Sequence, residues 1–326
     1  MAFLTVFTTI LVVLGHCDMT PDYKKTWIFR WIYSFHMPLF FFISGFLFCL
    51  TNPPKRIVST KYSSFTKKKF IRLIIPFIVI DSTIFIIKAT LFSESEIIQH
   101  PIELTIQSYY HHLLIQPIGF MWFLPTLFLI FIFVFPLWKY IKSHHSLKAI
   151  LVTSIIIYSL SFVASIDKDA IRFLQFSRSI FYLAFFWTGI LYCEFSSIID
   201  RFLSKYWIIV FFISGVISIF FIGNSIVRTS AGILLSIIIG LLISDKTPSW
   251  ILNCTAFTYT IYLLSYFPQM LVKGPIYHSF PYINQYWFSA LSFILGLSVP
   301  IIFCVIYNKI QNKYHPLRKY SFIFGF

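Results

Sequence analysis

The chain has 326 residues, of which 58% are hydrophobic and 21% aromatic, while only 11% are charged. About a quarter of the residues of a soluble domain are charged, so this composition excludes an ordinary soluble protein and indicates an integral membrane protein. The net charge of +15 is typical of basic loops that face anionic lipid headgroups. It therefore requires no nucleic-acid partner.

Apolar stretches close to the length that crosses a hydrocarbon core of about 30 Å recur along the whole chain, which predicts helices rather than short barrel strands. We therefore expect an all-α polytopic membrane protein, a single domain over residues 1–326 with about ten transmembrane helices and no separate soluble domain. The predicted spans are residues 2–17, 31–50, 72–92, 119–138, 148–166, 178–195, 206–223, 229–244, 250–272 and 287–307.

The distribution of charge predicts the orientation. If the N-terminus is cytoplasmic, the inner side receives 17 of the 26 lysines and arginines. The outer side then receives most of the carboxylates, namely Asp18, Asp22, Glu94, Glu96, Glu103, Asp167 and Asp169. Because short loops rich in lysine and arginine stay cytoplasmic, we expect both termini inside and a multi-pass protein of the cytoplasmic, or inner, membrane.

Two histidines lie at apolar positions of neighbouring spans. His16 ends the run "TILVVLGHCD", and His36 opens "FHMPLFFFISGFLF" after a loop of about 13 residues. The two spans are therefore expected to be antiparallel neighbours, with both histidines toward the outer half. A single histidine in a core is more often a hydrogen-bonding residue than a catalyst, whereas two at matching depth favour a polar pocket. We place Pro38 near the start of its helix, where its missing N–H has no partner to lose.

Nothing in the chain predicts a metal site. The histidines have no third ligand of suitable type near them in sequence. Each of the five cysteines stands alone within or at the edge of a span, where a cysteine serves as a small apolar side chain.

A second polar group is predicted at the inner end of the third span, in the stretch "KKKFIRLIIPF". Lys69 and Arg72 are three residues apart, so they share one helical face. Two interpretations are open: the pair binds the phosphates of a nucleotide-like donor, or it anchors the helix at the inner membrane surface. Asp81, deep in the same span, requires a partner or a proton.

Four of these segments together give a resemblance. "VVLGH", "SFHMPLFFFISGFLF", the basic entry before "LIIPF", and "MWFLPTLF" in the fourth span resemble the acyltransferase-3 family of integral membrane acyltransferases, in particular its fucose 4-O-acetylase-like branch. The resemblance is sharp over residues 10–130 and loose afterwards.

The resemblance implies an O-acetyltransferase. Such a protein moves an acetyl group from cytoplasmic acetyl-CoA, its acyl donor, to a hydroxyl of a cell-envelope or exported polysaccharide or of its lipid-linked precursor. His16 matches the family's catalytic base or acyl relay, and His36 matches the histidine of the second span. Lys69 and Arg72 match the basic pair proposed for the CoA phosphates. Trp122 and Tyr262 are candidates for stacking on a sugar ring.

Two positions depart from the family pattern. Thr5 stands where the family usually has an arginine or lysine, eleven residues before the first histidine. Near the end, "FTYTIYLLSYFPQ" resembles a segment that often reads Tyr-Leu-x-His, but Ser265 occupies the histidine position.

The chemistry of transfer fits the histidines. A base must take the proton of the sugar hydroxyl, and an imidazole titrates near neutrality. His16 is the predicted base, and His36 is predicted either to donate to the developing oxyanion or to hold the useful tautomer of His16. We further expect the two to lie within reach of each other, in a cavity that connects toward Arg72.

Two other classes of protein remain open on the residues alone. A transporter or flippase of a lipid-linked glycan would also have many helices with ionisable residues and prolines, although we find no inverted repeat. A non-catalytic scaffold would leave the two histidines without a role.

Overall fold

The computed structural model describes residues 1–17, 26–91, 102–220, 225–244, 248–280 and 282–325. Within these residues the secondary structure is helical and contains no β-strand, so the predicted all-α class is confirmed. Four acidic positions of the charge argument lie outside the described residues: Asp18, Asp22, Glu94 and Glu96.

Up to Glu194, the described residues form nine α-helices. They are α1 (Ala2–Gly15), α2 (Trp27–Thr51), α3 (Pro54–Ser59), α4 (Tyr62–Lys69), α5 (Ile75–Leu91), α6 (Ile106–Leu114), α7 (Phe123–His144), α8 (Leu147–Ala164) and α9 (Phe176–Glu194). A π-helical turn, Phe70–Ile74, joins α4 to α5, and a short 3-10 turn, Phe173–Gln175, precedes α9.

From Ser196 onward, seven more α-helices are formed by residues that the structure describes. They are α10 (Ser196–Phe220), α11 (Ser225–Ser244), α12 (Ser249–Cys254), α13 (Thr258–Leu264), α14 (Tyr266–Leu271), α15 (Tyr277–Ser279) and α16 (Gln285–Lys313). A second π-helical turn, Val272–Ile276, joins α14 to α15. Two 3-10 segments, Thr255–Phe257 and His315–Phe324, complete the described structure.

Seven helical stretches among the described residues are long and apolar enough to cross a membrane. They are Trp27–Thr51, Tyr62–Thr90, Phe123–His144, Leu147–Ala164, Ser196–Phe220, Ile226–Ile243 and Gln285–Lys313. Helical membrane spans are thus borne out. The count of ten and the cytoplasmic position of both termini stay predictions.

The predicted span over residues 250–272 is helical, but it is divided into short segments. The chain there consists of the short segments α12, α13 and α14 with a 3-10 turn, and the second π turn follows. Pro268 lies in α14 and Pro275 in the π turn. A proline removes one helical hydrogen bond and clashes with the preceding turn, which explains the interruption at Ser265, before Pro268, and the π turn that contains Pro275.

Pro38 also differs from its prediction. The second helix begins at Trp27, so Pro38 lies about three turns inside it instead of near its start. Because Pro38 has no N–H, the carbonyl of Ser34 lacks its helical donor. The hydroxyl of Thr229, on α11, donates to the Ser34 carbonyl oxygen at 2.6 Å and replaces the missing bond. Pro136 in α7 likewise deprives the Ile132 carbonyl of its helical donor. The Tyr62 hydroxyl donates to that carbonyl at 3.4 Å.

The helices cluster into two compact units. The first contains Met1–Leu47 and Thr188–Tyr307, and the second contains Phe48–Trp187 and Asn308–Phe326. In the first unit, a Cβ on Gly189 would lie 2.0 Å from the Phe42 carbonyl oxygen, so α9 meets α2 backbone to backbone. Glycine permits such close helix contacts. Gly232 of α11 likewise leaves room for the Phe35 ring, 2.6 Å from where a Cβ would stand.

Aromatic rings form much of the core of the second unit. Phe65 stacks on Phe135 with 4.1 Å between ring centroids, and Trp138 meets Trp187 edge to face at 5.7 Å. Asp81, which required a partner, is buried and accepts a hydrogen bond from the Ile118 backbone N–H at 2.9 Å. This bond fixes the loop that leads into α7.

Candidate active site

The end of α1 carries His16. Its backbone N–H donates to the carbonyls of Val12 and Val13, each at 3.2 Å, so His16 caps the helix. Its side chain is half-buried. The imidazole is therefore attached to a helix end while part of its surface stays accessible.

His36 lies in a different environment, on α2 and only 2% exposed. Its Nδ1 is 2.8 Å from the carbonyl oxygen of Ile32, one turn earlier. A carbonyl can only accept a hydrogen bond, so Nδ1 carries the proton of the neutral ring. The lone pair of neutral His36 is consequently on Nε2.

Tyr33 links the two histidines, and the sequence analysis missed it. Its hydroxyl oxygen is 3.1 Å from the Gly15 carbonyl oxygen and 3.5 Å from His16 Nδ1. Its ring meets the His36 ring edge to face at 4.8 Å between centroids. The spacing of three residues between Tyr33 and His36, which places both on one helical face, is a signal that could have found it.

Helix α14, which belongs to the C-terminal part of the first unit, also contacts α1. Gln269 of α14 is buried, and its Nε2 donates to the Val13 carbonyl at 3.0 Å and lies 3.4 Å from Cys17 Sγ. A Cβ on Gly296 would lie 3.0 Å from that nitrogen, so the glycine leaves room for the amide. Gln269 thus contacts the backbone of α1 before His16 and the side chain of Cys17 just after it.

Ser265, which occupies the family's histidine position, is fully buried between α13 and α14. Its hydroxyl has no hydrogen-bond partner in the described part of the chain. Tyr262 is also buried and meets Phe40 edge to face at 6.4 Å between centroids.

The basic pair belongs to the second unit. Lys69 ends α4, and its ammonium lies 3.7 Å from the centroid of the Phe131 ring and 5.5 Å from that of Phe65. Arg72 is exposed and lies in the first π-helical turn, just before Pro76. Such turns occur frequently at functional sites. The predicted cavity that joins the histidines to Arg72 connects residues of different units and stays a prediction.

Trp122 precedes α7 in the second unit and is half-buried. The guanidinium carbon of Arg178 lies 4.9 Å from its ring centroid, and Tyr182 packs against it at 5.3 Å. Arg178 also donates from Nε to Asp169 at 2.6 Å. Part of the Trp122 surface is therefore covered by a cation and a second aromatic ring.

The fold and the paired histidines define a polytopic helical membrane protein with groups suited to acid–base chemistry. A family model described as an acyltransferase domain, Acyl_transf_3, matches residues 4–309. The chain therefore belongs to the acyltransferase-3 family and is an integral membrane acyltransferase. Comparisons with curated proteins and with solved structures yield no match.

Proposed function

We propose that this acyltransferase moves an acetyl group from cytoplasmic acetyl-CoA to a hydroxyl of a cell-envelope or exported polysaccharide or of its lipid-linked precursor, in the inner membrane. The motifs around His16 and His36 support a place in the fucose 4-O-acetylase-like branch as part of this proposal. The observation that carries the proposal is the cluster of His16, Tyr33 and His36, in which two imidazoles contact one tyrosine.

His16 is the proposed general base. It takes the proton of the sugar hydroxyl while the hydroxyl oxygen attacks the thioester carbonyl. The carbon–sulfur bond then breaks, and the proton leaves with CoA as a thiol. The half-buried position of His16 suits contact with an acceptor better than the buried position of His36. No metal ion takes part in this proposal.

His36 supports the reaction in a restricted way. Because Nδ1 is bonded to Ile32, only Nε2 is available for a reactant. Neutral His36 presents a lone pair there, so it donates to an oxyanion only after it has taken up a proton. This restriction weakens the predicted oxyanion role and favours the role of orienting the cluster.

Donor binding is assigned to Lys69 and Arg72. Arg72 is exposed, and its planar guanidinium matches two phosphate oxygens at once. The ammonium of Lys69 is close to two aromatic rings, which favours a single side-chain position. Arg72 is accordingly the stronger phosphate ligand of the two.

Acceptor binding is assigned to Trp122 and Tyr262. The proposed partners are the glycan or lipid-linked sugar, the acyl-CoA and membrane lipids, with no nucleic acid. Trp122 keeps partial exposure, as a stacking ring requires. Tyr262 is 3% exposed, so a sugar would reach it only through movement of neighbouring side chains.

The test gives isolated membranes acetyl-CoA labelled in the acetyl group and measures label in glycan. Wild-type protein should label the glycan, and His16→Ala should lower the rate by about 100-fold or more, since a general base contributes about 10²- to 10⁴-fold. His144→Ala, which removes an exposed histidine of the second unit, is the matched control and should leave the rate unchanged. A flippase would move glycan without labelling it, and full activity of His16→Ala would refute the assigned base.

A further inference from the structure

The C-terminal 3-10 segment, His315–Phe324, packs beside the residues assigned to the donor. It contacts the first π-helical turn, Phe70–Ile74, and the helix α5 that follows this turn, all within the second unit. Arg72 lies in that turn. The fold therefore brings the C-terminal segment next to the assigned phosphate ligand, although the two are far apart in the sequence.

This segment has a basic half and an apolar half. Arg318 and Lys319 are exposed, whereas Phe322, Ile323 and Phe324 are half-buried. Burial of apolar surface stabilises the docked position of the segment. The same arrangement keeps the two cations at the surface of the unit, beside the π-helical turn.

Arg318 is held in place and keeps donors for a ligand. Its Nη2 donates to Asn312 Oδ1 at 3.2 Å, and the Ser321 hydroxyl donates to the Arg318 carbonyl at 2.9 Å. Among the residues that the structure describes, neither Arg318 nor Lys319 forms an ion pair. A guanidinium has five N–H donors, so most of those of Arg318 remain for an anion.

The positive charge of this surface is not balanced by neighbouring carboxylates in the sequence. The chain has no aspartate or glutamate between Asp22 and Asp81, and none after Asp245. The π-helical turn and the C-terminal segment both lie within these stretches. A surface that gathers charge of one sign attracts a ligand of the opposite sign, so the contact between the two segments creates a site suited to a polyanion.

We propose that Arg318 and Lys319 bind the 3′-phosphate of acetyl-CoA, beside the diphosphate bound at Arg72. The proposal rests on the proposed function, which supplies this donor. A phosphomonoester carries close to two negative charges near neutral pH, and the diphosphate adds its own. Lys69 and Arg72 bring only one positive charge each, so the donor requires further cations.

The shape of the donor explains why the 3′-phosphate reaches the C-terminal segment. The pantetheine arm separates the thioester from the adenosine, and the 3′-phosphate is on the ribose of that adenosine. When the acetyl group is directed into the helices, the 3′-phosphate therefore stays at their surface. Exposed cations next to Arg72 are the groups that it meets there.

The experiment measures the Kd of two probes by isothermal titration calorimetry, with purified protein in nanodiscs of neutral lipid. The probes are acetyl-CoA and acetyl-3′-dephospho-CoA, which lacks only the 3′-phosphate. Wild-type protein should bind acetyl-CoA about 10-fold more tightly or better. The double variant Arg318→Gln, Lys319→Gln should lose about 10-fold in affinity for acetyl-CoA and less than about twofold for the dephospho probe, which also shows that it is folded.

Two further variants complete the comparison. Arg201→Gln with Lys205→Gln removes an exposed arginine and an exposed lysine from α10 and should change neither Kd by more than about twofold. Arg72→Ala should weaken both probes, because both contain the diphosphate.

Three results would overturn the inference. Equal wild-type affinities for the two probes, or an equal loss of both in the double variant, would remove the 3′-phosphate site and leave acetyl-CoA as the donor. Repetition in nanodiscs with phosphatidylglycerol tests the other source of phosphate: an effect of the double variant that needs this lipid would assign the cations to lipid headgroups. No binding of acetyl-CoA by wild-type protein would overturn the proposed donor as well.

Discussion

His16 and His36 show how the same side chain acquires different chemistry from its surroundings. His36 is buried inside a helix and bonded to that helix's own carbonyl, so its orientation is fixed by local structure. His16 stands at a helix end, and its ring contacts Tyr33, which belongs to another helix. Local structure orients His36, whereas a contact between two helices helps to position the proposed base.

Arg72 is the residue at which donor binding can be separated from membrane anchoring. A charge-assisted bond to phosphate contributes about 1.5 to 3 kcal/mol, so Arg72→Ala should raise the KM for acetyl-CoA by about 10- to 100-fold. Arg56→Ala removes an equal, exposed charge from α3 and should change the KM less than about twofold. Steady-state kinetics with purified protein in lipid nanodiscs measures both, and equal effects would support the anchor interpretation.

Among the helices, α2 contains an interior proline and still continues for 25 residues. It does so because the freed carbonyl of Ser34 is satisfied from outside the helix by Thr229. Buried backbone carbonyls without a donor are costly, so the hydroxyl on α11 is part of what makes α2 stable. The position of His36, two residues before the proline, depends on that bond.

Replacement of Thr229 by valine tests this compensation. Thr229→Val keeps the shape but leaves the part-buried Ser34 carbonyl without this donor, and it should lower the free energy of unfolding by about 1 to 3 kcal/mol. In a Pro38→Ala background the helix regains its own N–H, so the same change should cost less than about 1 kcal/mol. Unfolding in mixed detergent measures both.

The control for that cycle is Thr83→Val. Thr83 is exposed, and its hydroxyl donates to the Val79 carbonyl of its own helix, which still has a helical donor. Thr83→Val should therefore change the free energy of unfolding only slightly, both with Pro38 and in the Pro38→Ala background. Equal costs of Thr229→Val with and without Pro38 would contradict the compensation.

For the molecule as a whole, local composition was enough to predict the helical membrane class and the presence of most helices. The length of an apolar stretch predicts a membrane helix without any information on which helices it packs against. The contact of Gln269 with Val13 joins residues 256 positions apart, and no pattern in one sequence indicates that pairing. The contact of Tyr33 with Gly15 also joins two helices, so the sequence indicates only that Tyr33 shares a helical face with His36. The breaks around Pro268 and Pro275 were missed because apolar length outweighed the proline signal.

The predicted orientation can be tested with a matched pair of surface lysines. Lys61 and Lys168 are both exposed, and the charge distribution places Lys61 inside and Lys168 outside. In intact cells, a membrane-impermeant maleimide should label Lys168→Cys but not Lys61→Cys. Lysis should make both reactive. Labelling of Lys61→Cys in intact cells would reverse the orientation.

The contact of α11 with α2 has a genetic consequence. Thr229 and Gly232, three residues apart on one face of α11, support Ser34 and Phe35, the two residues just before His36. Random alleles that abolish acetylation but preserve protein in the membrane will therefore collect on a helix that carries none of the proposed reactive groups. Gly215 on α10 has open space around it and will be absent from such a collection. Suppressors of the α11 alleles will map to α2, beside the histidine.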